Sequence, residues 1–205
     1  MTDVRTDHWE NVYTTKADDS VSWFEQSPAF SLELIAATGI KSASVIDIGG
    51  GASRLVDTLV AEGHNHVAVL DLSAHALDIA KSRMGHNAGT VEWIVGNVTT
   101  WKPAHQYDIW HDRAAFHFLN APEDQAAYVK TLHAALRTGG FAIIGTFALD
   151  GPEKCSGLPV TRHDASSIAR VLGSSFTSVD QRRYDHVTPG GNVQKFQFST
   201  FRRVG

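Results

Sequence analysis

The stretch "VIDIGGGASRLV", Val45 to Val56, decides the fold. A run of β-branched and apolar residues, interrupted only by Asp47, enters the triplet Gly49, Gly50 and Gly51. Helical spacing begins directly afterwards, with Leu55, Val56, Leu59 and Val60 on one face. Glycines at such a handover tolerate positive φ and let a ligand lie against bare main chain. The free N–H groups of the new helix then point at whatever is bound.

Outward from this stretch the pattern repeats. "HVAVLD", "VEWIVGN", "YDIWHD" and "FAIIGTF" read as further strands. Helices alternate with them: "SAHALDIAKSRM" capped by Ser73, "NAPEDQAAYVKTLHAALR" with Asn120 as N-cap and Thr138-Gly139-Gly140 as its stop, and "DASSIARVLG". Upstream, Ser27 and Pro28 are expected to open a helix that ends at Gly39. The C-terminal part differs, with "FTSVDQRRYDH" and "VQKFQFSTFRRV" flanking the turn residues "VTPGGN". Alternating strands and helices imply a parallel sheet. The expected fold is therefore α/β, a mostly parallel seven-stranded sheet with helices on both faces, closed by an antiparallel hairpin. A single domain, 1–205, divides into an arm or lid (1–27), a ligand-binding core (40–150) and the closing hairpin (174–205).

Bulk composition narrows the function classes. The 205 residues are 42% hydrophobic and 20% charged, with a formal net charge of −4. This describes a folded chain with no basic footprint for nucleic acid. One cysteine, Cys155, allows no internal disulfide and no Cys-x-x-Cys metal site. Neither a signal-peptide pattern nor a long apolar run is read, so a cytoplasmic protein is expected, without membrane partner. His64 and His66 form a two-nitrogen pair without a third ligand, and no metal site is expected. Cys155 is at most a soft ligand for a metalloid acceptor.

Asp71 ends the second strand 20 residues after Gly51, a spacing that suits a carboxylate holding both hydroxyls of a ribose. A dinucleotide site would need a third glycine where Arg54 stands. An adenosylmethionine site needs no phosphate cradle, and Asp47 before the glycines can hold the first turn or face the ligand's ammonium. A glycine turn without ligand is the bland alternative. Asn97 with Val98, after the third strand, is a candidate for adenine contact, or simply a turn.

As a set, "VIDIGGGAS", "VAVLDLS", "VGNV", "YDIWHDRAAFHFL" and "LRTGGFAIIGTF" resemble the successive motifs of class I S-adenosylmethionine-dependent methyltransferases, with their Rossmann-like sheet. The resemblance covers about residues 40–150. It implies S-adenosyl-L-methionine as cofactor, Gly49, Gly50 and Gly51 along its methionine part, and Asp71 on the ribose, with Leu72 beside it. It further implies Asn97 and Val98 at the adenine and His111 near the sulfonium. The N-terminal "HWENVYTTK" and "VSWF" resemble a branch with many uncharacterised bacterial members and protein-lysine methylating relatives. Two positions depart from the family: Asn97 replaces its usual Asp, and "HDRAAF" stands where nucleobase amino-methylating enzymes carry Asn/Asp-Pro-Pro-Tyr.

Methyl transfer from a sulfonium needs mainly proximity and alignment, with a protein base only for an acceptor that enters protonated. Asp112 and His117 are the catalytic candidates, the former to steer a cation or take a proton, the latter as a base. An Asp112–Arg113 pair and a buried His117 are the structural alternatives. Trp9, Tyr13, Trp23 and Phe24 are read as a lid offering π faces to a sulfonium, or as aromatic pins. The expected reaction is methylation of a small molecule, with protein lysine second. A nicotinamide oxidoreductase and a non-catalytic binding module are the competing classes.

Overall fold

The computed structural model describes residues 4–205. Nine strands and six α-helices are found there: α1 (Val4–Thr15), α2 (Ala29–Ala37), β1 (Ser44–Ile48), α3 (Leu55–Ala61), β2 (His66–Asp71), α4 (Ala74–Met84), β3 (Val91–Val95), β4 (Tyr107–Arg113), α5 (Pro122–Ala135), β5 (Leu136–Phe147), β6 (Lys154–Cys155), β7 (Leu158–Pro159), α6 (Ala165–Leu172), β8 (Phe176–Val187) and β9 (Val193–Arg203).

Seven strands form one sheet in the order β3-β2-β1-β4-β5-β9-β8. The first five are mutually parallel; β9 runs antiparallel to both β5 and β8. Every residue of β1 is buried, as a central parallel strand requires. Its side chains alternate between two cores. Ile46 and Ile48 join Trp110, Tyr128 and Leu132 on the α5–α6 face. Val45 joins Leu34, Leu55, Leu59 and Leu77 on the face covered by α2, α3 and α4. The strand order reverses between β1 and β4, so a crevice opens beyond their carboxyl ends, where open α/β sheets bind ligands.

The expected sheet, hairpin and two-sided helical cover are all found. Several boundaries need correction. Pro28, not Ser27, caps α2, and no side chain bonds to its first amides. Ala121, not Asn120, caps α5, with Pro122 at the first helical position; the Asn120 side chain instead bonds to Pro159 O and Thr161. α5 stops at Ala135, because Leu136 already has extended φ and ψ. Thr138-Gly139-Gly140 therefore lies inside β5. A Cβ on Gly140 would come 2.7 Å from Asp108 O on the neighbouring strand.

The N-terminal arm contains the helix α1, and the β5–α6 crossover folds into the ribbon β6–β7, which the sequence reading missed. Among the described residues no helix is long and apolar enough to cross a membrane.

Candidate functional site

Beyond the carboxyl ends of β1, β2 and β4 lies a cavity lined by Gly49, Asp71, Val98 and Arg113, among others, where open α/β sheets bind their ligands. A second, smaller one shares Tyr13, Trp23, Gly49 and Arg113 with it as common walls. Together they form one two-lobed cleft roofed by α1 and the 18–25 segment.

The glycine turn forms the floor. Gly49 and Gly51 have φ of +67° and +47°, the left-handed region that side chains disfavour. Gly50 has ordinary φ, but a Cβ there would meet Asp47 Oδ2 at 2.5 Å and Val69 Cγ1 at 2.8 Å. Its freedom is therefore a packing need. A Cβ on Gly51 would lie 2.8 Å from the Tyr13 hydroxyl and 3.1 Å from Asp71 Oδ2.

Asp71 reaches from the end of β2 toward this turn. Its carboxylate accepts from the Ser73 amide at 2.8 Å and from the Gly51 amide. Burial, with the Asp47 and Glu10 carboxylates nearby, raises its pKa to about 7. Leu72, Asn97, Val98 and Trp23 join it along the larger lobe. Asn97 does not offer its carboxamide oxygen to a ligand, because that atom accepts from both the amide and the hydroxyl of Thr99, at 2.9 and 2.8 Å. That oxygen closes a turn, and the residue borders the cavity.

Asp47 and His111 sit in the smaller lobe, hydrogen-bonded to each other at 2.7 Å. The other ring nitrogen of His111 lies 3.0 Å from Ser31 Oγ. β1 and β4 are paired in register at these two residues, so the sheet itself sets their spacing. Asp47 thus orients the imidazole and packs against Gly50 of the turn.

The two catalytic candidates are not brought to the cavity. Asp112 is fully buried on the opposite face of β4, where it accepts from the Ala115 and Phe116 amides and from Tyr128 Oη at 2.7 Å. Burial raises its pKa to about 6 despite those bonds. It folds the loop after β4, where Ala114 adopts φ +75° and Ala114, Ala115 and Phe118 line the larger lobe. His117 is also fully buried; its Nδ1 accepts from the Phe147 amide at 3.3 Å. Burial pushes its pKa down to about 3, which makes it a poor base at neutral pH. The alternation of side chains along β4 explains the first displacement: His111 and Arg113 face the cleft, so Asp112 cannot.

Arg113 does not pair with Asp112. It donates to Trp23 O at 2.9 Å, lies 3.2 Å from Glu25 Oε1 and covers the Phe196 ring at 5.2 Å. Glu25 is held ionised: its pKa falls below the ordinary value, against the raising effect of burial, through contacts with His186, Arg113 and Tyr184. Aromatic side chains of the N-terminal segment pack together at the cavity. Trp23 donates to Tyr13 Oη at 3.1 Å, and Trp9 meets Trp23 and Phe118 edge to face at 5.4 and 5.2 Å. Cys155, on β6, completes the wall; burial lifts its thiol to about 12.

His64 and His66 do not act together. His64 bonds to Ala43 O, and His66 pairs with Glu92 at 3.1 Å. Among the described residues no cluster of three or more potential ligands could hold a metal. Sequence reasoning also missed Glu10, whose carboxylate accepts from the Ala74 amide at 2.6 Å and Ser73 Oγ at 3.1 Å, tying α1 to the start of α4. Glu10 lies inside the quoted "HWENVYTTK" and Glu25 just after "VSWF", but nothing in either stretch showed what they would bond.

An adenosyl ligand fits these residues: a bare turn, a buried carboxylate one strand over, and an apolar wall between them. Residues 45–140 match a family described as "Methyltransferase domain". The whole chain is similar in fold to solved structures at low identity. One was reported for conversion of a disulfide bond into a thioacetal group during echinomycin biosynthesis, with 19% identity, coverage of 98% of this chain and 92% of that one, and TM-score 0.77. Another is the 1,6-didemethyltoxoflavin-N1-methyltransferase of Burkholderia thailandensis with its acceptor and S-adenosylhomocysteine, with 23% identity, coverage of 98% and 84%, and TM-score 0.69. A third is the N-methyltransferase NodS of Bradyrhizobium japonicum with S-adenosylhomocysteine, with 15% identity, coverage of 97% and 98%, and TM-score 0.70. No curated protein matches the chain by sequence.

Proposed function

We propose that this chain, a class I S-adenosylmethionine-dependent methyltransferase by its domain, methylates a small molecule admitted to the cleft between α1, the loop after β4 and the β6–β7 ribbon. One observation carries the proposal: a single cavity is lined both by the Asp71 carboxylate beside the glycine turn and by Trp9, Trp23, Phe118 and Cys155. The neighbours crystallised with S-adenosylhomocysteine, one of them with a small heteroaromatic acceptor, support the same reading.

When bound, the cofactor supplies an activated methyl group on a sulfonium. The chain supplies the rest. Asp71 would accept the two ribose hydroxyls, with Leu72 beside it, while Val98 and Leu119 border the base. Gly49 and Gly51 would let the amino-acid part approach the main chain, and the Asp47–His111 pair lies beside that turn. The aromatic cover excludes water and presents π faces to positive charge. Alignment of acceptor and methyl is the main catalytic contribution. A protein lysine draws less support, because the described chamber wall carries Arg5 and Arg113 and no carboxylate besides Asp71.

Calorimetric titration with S-adenosylhomocysteine and with NAD tests the cofactor. Heat with the first alone is expected, and binding of NAD alone would overturn the reading. A tritiated-methyl assay on a metabolite mixture and on a cell lysate tests the acceptor: label should enter small molecules, and label in protein bands would restore the lysine alternative.

A further inference from the structure

Resting on that reading, the glycine turn must hold one main-chain form to receive the amino-acid end of the cofactor. Three successive glycines are the residues least able to hold a form by themselves. One bond inside the turn helps: the Ser53 amide donates to Gly50 O at 2.8 Å. Ala52 and Ser53 precede Arg54, the N-cap of α3, so no bond within that helix takes up their carbonyl groups.

The neighbouring helix supplies the missing partner. Arg83, in the last turn of α4, donates from Nη1 to Ala52 O and from Nη2 to Ser53 O, both at 2.8 Å. The other edge of the guanidinium grips Asp57 of α3, with Nε 3.1 Å from Oδ1 and Nη2 2.7 Å from Oδ2. Four of its five N–H groups are thus spent on one short segment, residues 52–57.

A cation in the last turn of a helix ordinarily serves that helix's own carbonyls, and a partly exposed ion pair stabilises little. Neither role explains two consecutive main-chain acceptors 31 and 30 residues away in the chain. A peptide group is planar and trans, so each carbonyl points opposite to the amide that follows it. Holding Ala52 O and Ser53 O therefore sets the direction of the Ser53 and Arg54 amides. The first of these closes the turn, and Ala52, Ser53 and Arg54 all line the smaller lobe. Arg83 itself is not among the residues lining either lobe.

We infer that Arg83 is a positioning residue. From behind the cleft it locks the 50–54 main chain in the form that receives the cofactor's amino-acid end, and Asp57 holds the guanidinium in place. The planar fork is the essential feature, because two adjacent carbonyls and a carboxylate require donors in fixed geometry.

The test compares two nucleosides on the full chain by calorimetry. S-adenosylhomocysteine carries the amino-acid end; methylthioadenosine has the same adenosine and sulfur without it. In Arg83→Met the first should bind about tenfold or more weakly, the scale of lost charge-assisted bonds, and the second within about twofold of the native chain. Retained methylthioadenosine binding also reports a folded cleft. Arg83→Lys keeps the charge but not the fork, and should lie between. Asp57→Asn should give part of the same loss, and adding it to Arg83→Met should cost little more, as expected of groups acting as one unit.

An equal loss for both nucleosides would make Arg83 a brace of the whole domain and overturn the inference. Unchanged S-adenosylhomocysteine affinity would do the same. If Arg83→Met does not fold, Arg83→Lys decides by the ratio of the two affinities: a fall supports the inference and a native ratio refutes it. A native chain that binds S-adenosylhomocysteine no better than methylthioadenosine overturns the inference alone, since the amino-acid end then has no seat at the turn. A native chain that binds neither nucleoside would sink the cofactor reading beneath it.

Discussion

Affinity for the nucleoside should rise with pH between 6 and 8, and Asp71 should be the cause. Burial, aided by the Asp47 and Glu10 carboxylates, raises its pKa to about 7 in the free chain. Ribose hydroxyls donate to a carboxylate better than to a carboxylic acid, so the bound form favours ionisation and its pKa falls. The observed dissociation constant then scales as one plus ten to the power of (pKa − pH). This factor is about 11 at pH 6 and about 1.1 at pH 8, a change of roughly tenfold or about 1.4 kcal/mol.

The same shift fixes a stability sign. A carboxyl whose folded pKa lies above its unfolded value binds its proton more tightly when folded. Its contribution is therefore fully present in acid and is lost as pH rises from about 4 to about 7. Calorimetry with S-adenosylhomocysteine at three pH values, in two buffers of different ionisation heat, measures both the affinity and the proton released. Asp71→Asn should bind more weakly by about 1.5–3 kcal/mol, the scale of hydrogen bonds to a charged group, and should show no slope. An equal slope in the variant, or a flat profile in the native chain, would refute the assignment.

Three further outcomes follow from the geometry. Asp112→Asn should cost about 1–3 kcal/mol of stability by disturbing three buried hydrogen bonds, while methyl transfer per folded molecule is unchanged; a large loss of turnover well below the melting temperature would return Asp112 to the chemistry. Gly50→Ala should destabilise by about 1–3 kcal/mol through its overlap with Asp47 and Val69, seen as a lower Tm, and an unchanged Tm would contradict the packing account. Glu10→Ala should raise hydrogen exchange in α1 by about tenfold or more, the scale of a lost charge-assisted bond, with the β-sheet amides unaffected; unchanged exchange would show that the helix is held by other contacts.

The sheet was legible because its strands are short, apolar and bounded by glycines. Val45–Ile48 could hardly be anything but a central strand, and Gly49 and Gly51 do adopt the positive φ that their spacing suggested. Asp71 was legible for a related reason: a carboxylate ending the second strand must lie beside the turn that ends the first. Asp112 and His117 were misplaced because position after a strand does not say which face a side chain takes. Counting alternation from His111 would have turned Asp112 away. Tyr13 and Trp23 were recognisable by type, but Glu10 and Glu25 were not. Their partners, Ala74 and Arg113, lie 64 and 88 residues away, a separation only the folded chain closes. Asn97 was recognisable by its chemistry, but the engagement of its amide oxygen by the residue two positions on was not.

Glu10 fastens the roofing helix to the same short turn, 71–74, that presents Asp71. On the proposed reading, exit of a spent nucleoside would disturb the same turn that holds the roofing helix. The residence time of the nucleoside and the opening of that helix should track each other across variants of this turn, so that one fastening bears on both.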